Sequence, residues 1–284
     1  MAIQQLLFFL PTYPDAPSDQ AMNSVGFLAR TMGAKLTALI PQLSDDASTW
    51  PKIMGAFPLD FPQLMQESVR SSERNAQLLS EALTKVSSAF SVVLDLRRTL
   101  TVLYGSPQSL VDLARLHDLT VLPIPETDCF DRKYLEAVLF DSGRPTLLLP
   151  SGKGSKPLQA LKTIVVAWDF SREAARAISD ALPLLKLAKQ VRVLTVLGEK
   201  HIQTTSKTGD LEKYLNSHSV KFVLDETGLK GQTIGECLCA FVSDADADML
   251  VMGAYGHSRF REFALGGATR ALIADTPVPL FLSH

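Results

Sequence analysis

The residues best suited to bind a ligand lie between Gly253 and Thr269, where arginines are interspersed among glycines. Glycine tolerates positive φ and lets a ligand approach the main chain closely. Free N–H groups at the start of a helix, with the helix dipole behind them, bind anions such as phosphate. The residues that could contribute to such an anion site are Gly253, Gly256, Gly266, Gly267, Thr269, Arg259, Arg261 and Arg270. Their clustering favours an anion site over the alternative that the glycines serve only tight turns.

The segments on either side of this loop must hold it in place. Asp248–Met252 is a short apolar segment typical of a buried strand, and residues 268–274 are predicted to form a helix. In an open α/β sheet, ligands bind beyond the carboxyl ends of the strands, where the topology reverses. We therefore expect the loop at the carboxyl edge of a parallel sheet.

The chain repeats one order of elements. In each half an apolar strand is followed by an amphipathic helix and a second strand, and later by a short helix and a further strand. Ser171 is a candidate N-cap for the first helix of the second half. Short apolar strands that alternate with helices predict parallel sheets covered on both faces. The predicted strands are Leu6–Leu10, Lys35–Ile40, Leu119–Ile124, Thr163–Ala167 and Val191–Leu197, besides Asp248–Met252.

A polar run, Ser151–Lys156, has the composition of a linker and separates the two halves. We place the domains at residues 1–151 and 158–284. Each domain ends in a proline-flanked apolar strand, Pro145–Leu149 or Val278–Leu282. Such edges promote aggregation if they are left exposed, so we expect these two strands to cover each other. Further pairing of two chains into a homodimer is left open.

The first domain lacks the residues of a phosphate loop. No Gly-x-x-Gly follows its fourth predicted strand, which ends in Pro123-Ile-Pro125. Three further prolines, Pro11, Pro14 and Pro17, follow its first strand. We therefore expect the first domain to be a degenerate copy that supplies packing surface.

Composition excludes several classes of function. The chain has 284 residues, 28 basic against 30 acidic side chains and a net charge of −2. General binding to nucleic acid or to an acidic membrane needs a basic excess, so this balance argues against both. The longest apolar segments are too short to span a bilayer, and the first residues lack the features of a signal peptide. The three cysteines have no metal-ligand spacing, so we expect a cytoplasmic protein without a metal site.

The loop and two other stretches resemble a known family. The pattern Gly253-x-x-Gly256-x9-Gly266 resembles the nucleotide-binding signature of the universal stress protein family. Residues 165–171 and 249–258 are similar to that family too. The resemblance is strong in the second half and extends to the first only in the order of elements, as in a tandem, two-domain member. It implies two flavodoxin-like or Rossmann-like α/β/α domains, each with a mostly parallel five-stranded sheet.

The resemblance also implies a ligand, which is ATP (with or without Mg) or a related adenine nucleotide. Carried over by position, Asp169 contacts adenosine and Val196 lines the adenine pocket. The four glycines of the loop (253, 256, 266 and 267) cradle the ribose and phosphates. The sequence departs from the family pattern at Gly267, where Ser or Thr is usual, although Thr269 offers a hydroxyl two residues later. Trp168 is bulky for the position before the aspartate, and either stacks on a base or crowds it.

The histidines offer weaker signals. His257 follows the second loop glycine, where a neutral imidazole is able to donate to a phosphate, and the alternative is a solvated loop residue. His201, His218 and His284 have no suitably spaced partners and are predicted to be surface residues.

Three functions are consistent with these residues. The leading hypothesis is a stress-response or signalling module that binds an adenine nucleotide in its second domain. A slow ATPase or other nucleotide hydrolase is the second, although no Gly-x-Ser-x-Gly, Walker-type loop or metal-spaced histidine pair occurs. The third is a structural dimerisation module that binds no nucleotide.

Overall fold

A computed structural model describes residues 2–44, 61–102, 105–124, 132–150, 156–197, 208–229, 231–254, 271–273 and 276–284. Strands and helices alternate along the chain, as the sequence predicts. The first part contains β1 (Gln5–Phe9), α1 (Asp19–Met32), β2 (Lys35–Leu43), α2 (Phe61–Phe90), β3 (Leu94–Thr101), α3 (Gln108–Ala114), β4 (Leu119–Ile124), α4 (Arg132–Asp141) and β5 (Thr146–Pro150). The second contains β6 (Thr163–Ala167), α5 (Arg172–Leu185), β7 (Gln190–Leu197), α6 (Thr208–Ser217), β8 (Phe222–Gly228), α7 (Ile234–Asp244), β9 (Met249–Gly253) and β10 (Leu280–Ser283). Residues 271–273 are also helical.

The described strands form one ten-stranded sheet in the order β3-β2-β1-β4-β5-β10-β9-β6-β7-β8. Neighbouring strands are parallel within each half, and β5 and β10 are antiparallel, with Leu147 opposite Phe281. The predicted α/β fold with five mostly parallel strands in each half is confirmed. The two final strands pair with each other, as expected, and this pairing joins the two sets of strands into a single sheet.

The hydrophobic core is organised by sheet face and not by half. Successive side chains of a strand point to opposite faces, so Leu7 and Phe8 belong to different clusters. One cluster lies under α1, α2 and α5 and contains Phe8 and Phe281. The other lies under α3, α4 and α7 and contains Leu7 and Leu282. Because each cluster includes residues of both halves, each half covers apolar surface of the other.

Two serine caps start equivalent helices. The Ser18 hydroxyl accepts a hydrogen bond from the Ala21 N–H at the start of α1, and the Ser171 hydroxyl accepts one from the Ala174 N–H at the start of α5. These bonds satisfy donors that the first turn of a helix otherwise leaves unpaired. The predicted cap at Ser171 is confirmed.

An aspartate joins two strands at the amino edge of each half. Asp118 precedes β4 and accepts hydrogen bonds from the N–H groups of Gln4 and Gln5, at 2.8 and 2.9 Å. Asp248 precedes β9 and accepts equivalent bonds from Lys162 and Thr163, at 2.6 and 3.0 Å. The same residue type therefore performs the same structural task in both halves.

Asp248 differs from Asp118 in a further ion pair. The Lys156 ammonium lies 2.9 Å from Asp248 Oδ1 and 2.8 Å from Asp246 Oδ1. Burial lowers the pKa of Lys156, but hydrogen bonds to these two carboxylates outweigh it and raise the pKa above its usual value. The Lys156 N–H also donates to the Pro277 carbonyl at 2.8 Å. These contacts anchor the chain just before β6.

Two edge strands, β3 and β8, and one long helix, α2, were not predicted from the sequence. β3 and β8 are the outer strands of the sheet, and charged residues such as Arg97 and Asp225 interrupt their apolar pattern. Charged side chains at a sheet edge oppose unwanted pairing with another chain. α2 is long but polar, and none of the described helices has the length and apolar composition of a membrane span.

Candidate functional site

The carboxyl ends of three neighbouring parallel strands, β9, β6 and β7, meet at one edge of the sheet. Three predicted site residues lie there. Asp169 follows β6 by two residues, Val196 is the penultimate residue of β7, and Gly253 ends β9. The other predicted site residues, Gly256, His257, Gly266, Gly267 and Thr269, lie outside the described residues.

The carboxylate of Asp169 is exposed and held by a local turn. Its Oδ1 accepts a hydrogen bond from the Ser171 N–H at 3.0 Å, and the Ser171 hydroxyl in turn caps α5. Within the described residues Asp169 makes no other hydrogen bond or ion pair. Phe170, which lies between Asp169 and Ser171, has a φ of 60°, in the left-handed region that non-glycine residues adopt uncommonly. The turn therefore holds a carboxylate at the edge of the sheet, with acceptor capacity left for hydroxyl groups.

Trp168 and Val196 lie on opposite faces of the sheet. The Trp168 indole packs against the cluster under α1, α2 and α5, and its ring centroid is 5.4 Å from that of Phe170. Val196 and Ala167 pack against the other cluster. The Trp168 indole therefore does not lie on the face of the sheet where Val196 packs. Its Nε1 is buried without a hydrogen-bond partner in the described part of the chain.

Gly253 has a packing requirement that the sequence analysis missed. A Cβ at this position lies 2.5 Å from the Ala174 nitrogen and 2.5 Å from the Glu173 carbonyl carbon. Its φ is not in the positive region, so close packing and not a left-handed backbone requires glycine here. The residue is glycine because the first turn of α5 lies against the end of β9. The partner that reveals this, the start of α5, is remote in sequence.

An ion pair stabilises the outer strands beside this edge. The Arg192 guanidinium on β7 makes two hydrogen bonds to the Asp225 carboxylate on β8, at 2.6 and 3.0 Å. The hydrogen bond to Asp225 is the main reason that the pKa of Arg192 is raised. The guanidinium carbon also lies 4.4 Å from the ring centroid of Phe241 on α7. These contacts hold β7, and with it Val196, against β8 and α7.

The described residues contain no group of three or more His, Cys, Asp or Glu side chains placed to hold a metal ion. The arrangement at the edge is instead one of a fixed carboxylate, a half-buried valine and the end of a central strand. Such a set suits the binding of a polar organic ligand with an apolar portion.

The sequence of this region decides its family. The sequence model described as "Universal stress protein family" matches residues 160–284. This part of the chain belongs to the universal stress protein family.

Individual proteins are similar over different lengths. Universal stress protein Slr1230 from Synechocystis sp. is 26% identical over 153 residues, which are 51% of this chain and 49% of that protein. The matched region is thus about half the length of that curated relative.

Two solved structures are similar over nearly the whole chain. A universal stress protein from Archaeoglobus fulgidus covers 98% of this chain and 95% of its own, with 18% identity and a TM-score of 0.68. A protein described as a universal stress protein from Pseudomonas aeruginosa covers 99% and 93%, with 13% identity and a TM-score of 0.58. These similarities show that the complete fold, with both halves, is shared.

Strand register identifies the residues of the first half that correspond to the site of the universal stress protein domain. β1 pairs with β2 as β6 pairs with β7, so that Phe9–Leu39 corresponds to Ala167–Leu194. β4 lies beside β1 as β9 lies beside β6, so that Val121 corresponds to Val251. Two residues beyond these positions, the counterparts of Asp169, Val196 and Gly253 are Pro11, Pro41 and Pro123.

A chain of hydrogen bonds closes this edge of the first half. The Leu43 N–H donates to the Ser72 hydroxyl at 2.8 Å. Because the Thr12 hydroxyl donates to the Pro41 carbonyl at 2.5 Å, the Ser72 hydroxyl donates to Thr12, at 2.7 Å. Ser72 and Thr12 are both buried. Where the universal stress protein domain exposes a carboxylate, the first half therefore satisfies its polar groups internally.

Proposed function

We propose that the universal stress protein domain binds ATP or a related adenine nucleotide at the carboxyl edge of β6, β7 and β9. Occupancy of this site is the signal of a stress-response module. The observation that supports the proposal most directly is the position of Asp169. Its carboxylate is exposed, fixed by Ser171 and placed beside Val196, at the edge where ligands of parallel α/β sheets bind.

The residues present fit such a ligand. The carboxylate of Asp169 is able to accept hydrogen bonds from the ribose hydroxyls, and Val196 offers a half-buried apolar surface to the adenine ring. Trp168 packs against the cluster on the other face of the sheet, so its indole does not lie on Val196. The glycines at 256, 266 and 267, together with Thr269 and His257, would hold the phosphates.

The proposal includes the division of the chain into two domains. Residues 158–284 form the nucleotide-binding domain, and residues 1–151 form a degenerate copy without a site of its own. The three prolines at the equivalent positions of the first half support this division, because proline supplies no N–H donor and no charge. The proposed location is the cytoplasm, where the buried Cys237 thiol would stay reduced.

A binding experiment with matched variants tests the site. We expect isothermal titration calorimetry to detect Mg·ATP binding to the wild-type protein. Val196→Trp places a large ring on the proposed adenine surface and should weaken binding about 5- to 150-fold, since overfilling a well-fitted site costs roughly 1–3 kcal/mol. Val223→Trp is the control, because Val223 is an exposed valine on the neighbouring strand β8.

The outcomes separate the alternatives. Equal affinities of all three proteins would show that the nucleotide binds elsewhere. Absence of binding to the folded wild-type protein would contradict the ligand and favour a structural dimerisation module. Thermal unfolding of each variant distinguishes loss of the site from loss of the fold.

A further inference from the structure

Two threonines in the middle of the sheet bury hydroxyl groups that have no hydrogen bond. Thr120 on β4 and Thr146 on β5 are both 0% exposed. Neither Oγ1 has a hydrogen-bond partner among the residues that the structure describes. A buried hydroxyl without a partner destabilises a protein, because it has given up its hydrogen bonds to solvent and gained none. Native structures rarely keep such a group, so this pair requires an explanation.

The two threonines are direct neighbours on the same face of the sheet. Thr120 and Thr146 are in register on the parallel strands β4 and β5. Adjacent strands lie about 4.8 Å apart, and residues in register on parallel strands point to the same face. The next residues, Val121 and Leu147, belong to the core cluster under α1, α2 and α5. Both threonine side chains therefore point to the opposite face, under α3, α4 and α7.

The strand residues beside this pair on the same face are leucines. One leucine lies in register with each threonine on the neighbouring strand, and one follows each threonine by two residues along its own strand. All four belong to the core cluster under α3, α4 and α7, and they are Leu7, Leu282, Leu122 and Leu148. A leucine side chain has neither a donor nor an acceptor. In the row that runs across the sheet from β1 to β10, the two hydroxyls are therefore the only polar side-chain groups.

The second half has leucines at the two equivalent positions. Because β4 lies beside β1 and β5 as β9 lies beside β6 and β10, the pair Thr120–Thr146 corresponds to Leu250–Leu280. Leu250 and Leu280 are also 0% exposed. The fold therefore accepts apolar side chains at both positions and does not itself require hydroxyl groups there. Threonine is also smaller than leucine, so the first half differs at this point in volume as well as in polarity.

The chemistry of the pair selects a small neutral ligand. The two hydroxyls do not bond to each other, and both oxygens are shielded from solvent, which argues against a ligand that extends to the surface. A calcium or magnesium ion needs about six oxygen ligands, usually with carboxylates among them, and the row offers two hydroxyls and no carboxylate. A water molecule needs only two to four polar partners. Each threonine hydroxyl is able both to donate and to accept, so the pair can satisfy a water molecule between them.

We propose that Thr120 and Thr146 form a binding site for a buried water molecule between β4 and β5. The water accepts a hydrogen bond from one hydroxyl and donates one to the other, so that neither oxygen stays unpaired. Thr146 lies in register with Leu282 of β10, and the site is therefore one strand away from the junction of the two halves. The water is a structural ligand of the first half, at a place where the second half packs leucine against leucine. The site does not depend on nucleotide binding.

A high-resolution crystal structure of the full chain tests the site directly. We expect a peak of electron density about 2.5–3.0 Å from the Oγ1 atoms of both Thr120 and Thr146. In crystals of Thr120→Val or Thr146→Val the water keeps only one of the two hydroxyls, and the peak should disappear. Density without such a peak in the wild-type protein would overturn the proposal, and so would a direct hydrogen bond between the two threonines.

Thermal unfolding of the two single variants and the double variant measures the coupling between the hydroxyls. Each single substitution leaves the other hydroxyl unpaired and should lower Tm by about 2–4 °C. The double variant leaves no hydroxyl unpaired, so its loss should be smaller than the sum of the two single losses. Thr227→Val is the control, because Thr227 lies half-buried on the outer strand β8 and donates only to the Gly228 carbonyl. Its Tm should stay within about 1 °C of the wild type.

The alternative, two isolated hydroxyls, gives the opposite thermal result. Each valine would then remove an unpaired polar group from an apolar environment, so both single variants would raise Tm and their effects would add. That outcome would overturn the proposal. A density peak that persists in the double variant would also overturn it, because the hydroxyls would then not hold the water. If a variant does not fold, the density of the wild-type protein alone decides.

Discussion

The carboxyl edges of the two halves have the same backbone register and opposite chemistry. In the second half the edge presents Asp169, a half-buried Val196 and a glycine that lets α5 lie against β9. In the first half all three positions are proline. Proline contributes neither a charge nor an N–H group, and it restricts the backbone. One architecture therefore supports a candidate binding edge or a closed one, depending on a few residues after the strands.

The comparison shows that two halves with the same packing can have different residues at the same edge. The sheet register, the strand order and the aspartate at the amino edge are the same in both halves. These features stabilise the fold wherever they occur. The carboxyl edges differ: three positions that carry Asp169, Val196 and Gly253 in the second half are proline in the first. In the first half, hydrogen bonds that involve the Thr12 and Ser72 hydroxyls connect residues at this edge.

The largest expected effect concerns the aspartate that joins two strands at the amino edge of each half. Asp248→Ala removes the acceptor for two N–H groups and the partner of Lys156, and we expect it to cost about 3 kcal/mol of unfolding free energy. Asp118→Ala removes only two more exposed hydrogen bonds and should cost about 1 kcal/mol. Urea denaturation of both variants measures the difference. Equal losses would show that the Lys156 ion pair contributes nothing.

The second effect tests the close approach of α5 to β9. Gly253→Ala forces a Cβ to 2.5 Å from backbone atoms of Glu173 and Ala174, and these atoms move only if the helix shifts. Overpacking of this kind should cost about 2 kcal/mol. Gly209→Ala is the control, since a Cβ there meets no atom within 4 Å. A Gly253→Ala protein as stable as the control would contradict the packing explanation of this glycine.

A third prediction concerns the closed edge of the first half. Ser72→Ala removes the hydroxyl between the Leu43 N–H and the Thr12 hydroxyl, and leaves a buried donor unpaired. We expect a loss of about 1–2 kcal/mol. Ser88→Ala should have no measurable effect, because Ser88 is exposed and donates only to Thr84 of its own helix. If the two variants are equally stable in chemical denaturation, the hydrogen-bond chain does not stabilise this edge.

The smallest effect concerns the helices that precede β4 and β9. α7 begins with a capping box in which Glu236 accepts a hydrogen bond from the Thr233 N–H, whereas Pro107 gives α3 no side-chain cap. The bond from the Thr233 backbone, followed by that from its hydroxyl, lowers the pKa of Glu236 below its usual 4.5. The stabilisation is therefore complete above that usual value and is lost as the pH falls through the lowered pKa.

Glu236→Gln tests this pH dependence, because glutamine keeps an acceptor and does not titrate. We expect the wild-type urea midpoint to fall more steeply than that of the variant between pH of about 6 and about 3. Parallel curves for the two proteins would mean that the cap does not respond to protonation.

Several elements of both halves were predictable from the sequence because the signals that specify them are local. The Ser171 cap depends on the next few residues, and the strand Leu119–Ile124 in the first half has the predicted bounds. β3 and β8 were missed because charged residues such as Arg97 and Asp225 interrupt their apolar pattern. The placement of Asp169 and Val196 at the carboxyl edge was predictable, since each follows or lies near the end of a strand that the sequence identifies. Their role in binding stays a prediction.

Other features depend on residues that are distant along the chain. Gly253 is explained only by the first turn of α5, and His284 acquires its partners, Phe140 and Ala254, only when β10 pairs with β5. No local pattern contains these contacts. The correspondence of the three prolines with the three site positions also needed the strand register, although each proline is visible in the sequence.

The sequence by itself determined the alternation of strands and helices and the repeat of their order. The nucleotide-binding role of the glycine-rich loop stays a prediction. Hydrophobic periodicity, caps and glycine spacing act over a few residues, so they are legible without a structure. Tertiary structure decided that ten strands form one sheet, that β5 and β10 pair in opposite directions and that α5 lies against Gly253. Those outcomes depend on strand register and on contacts between remote segments, and only the folded chain brings those segments together.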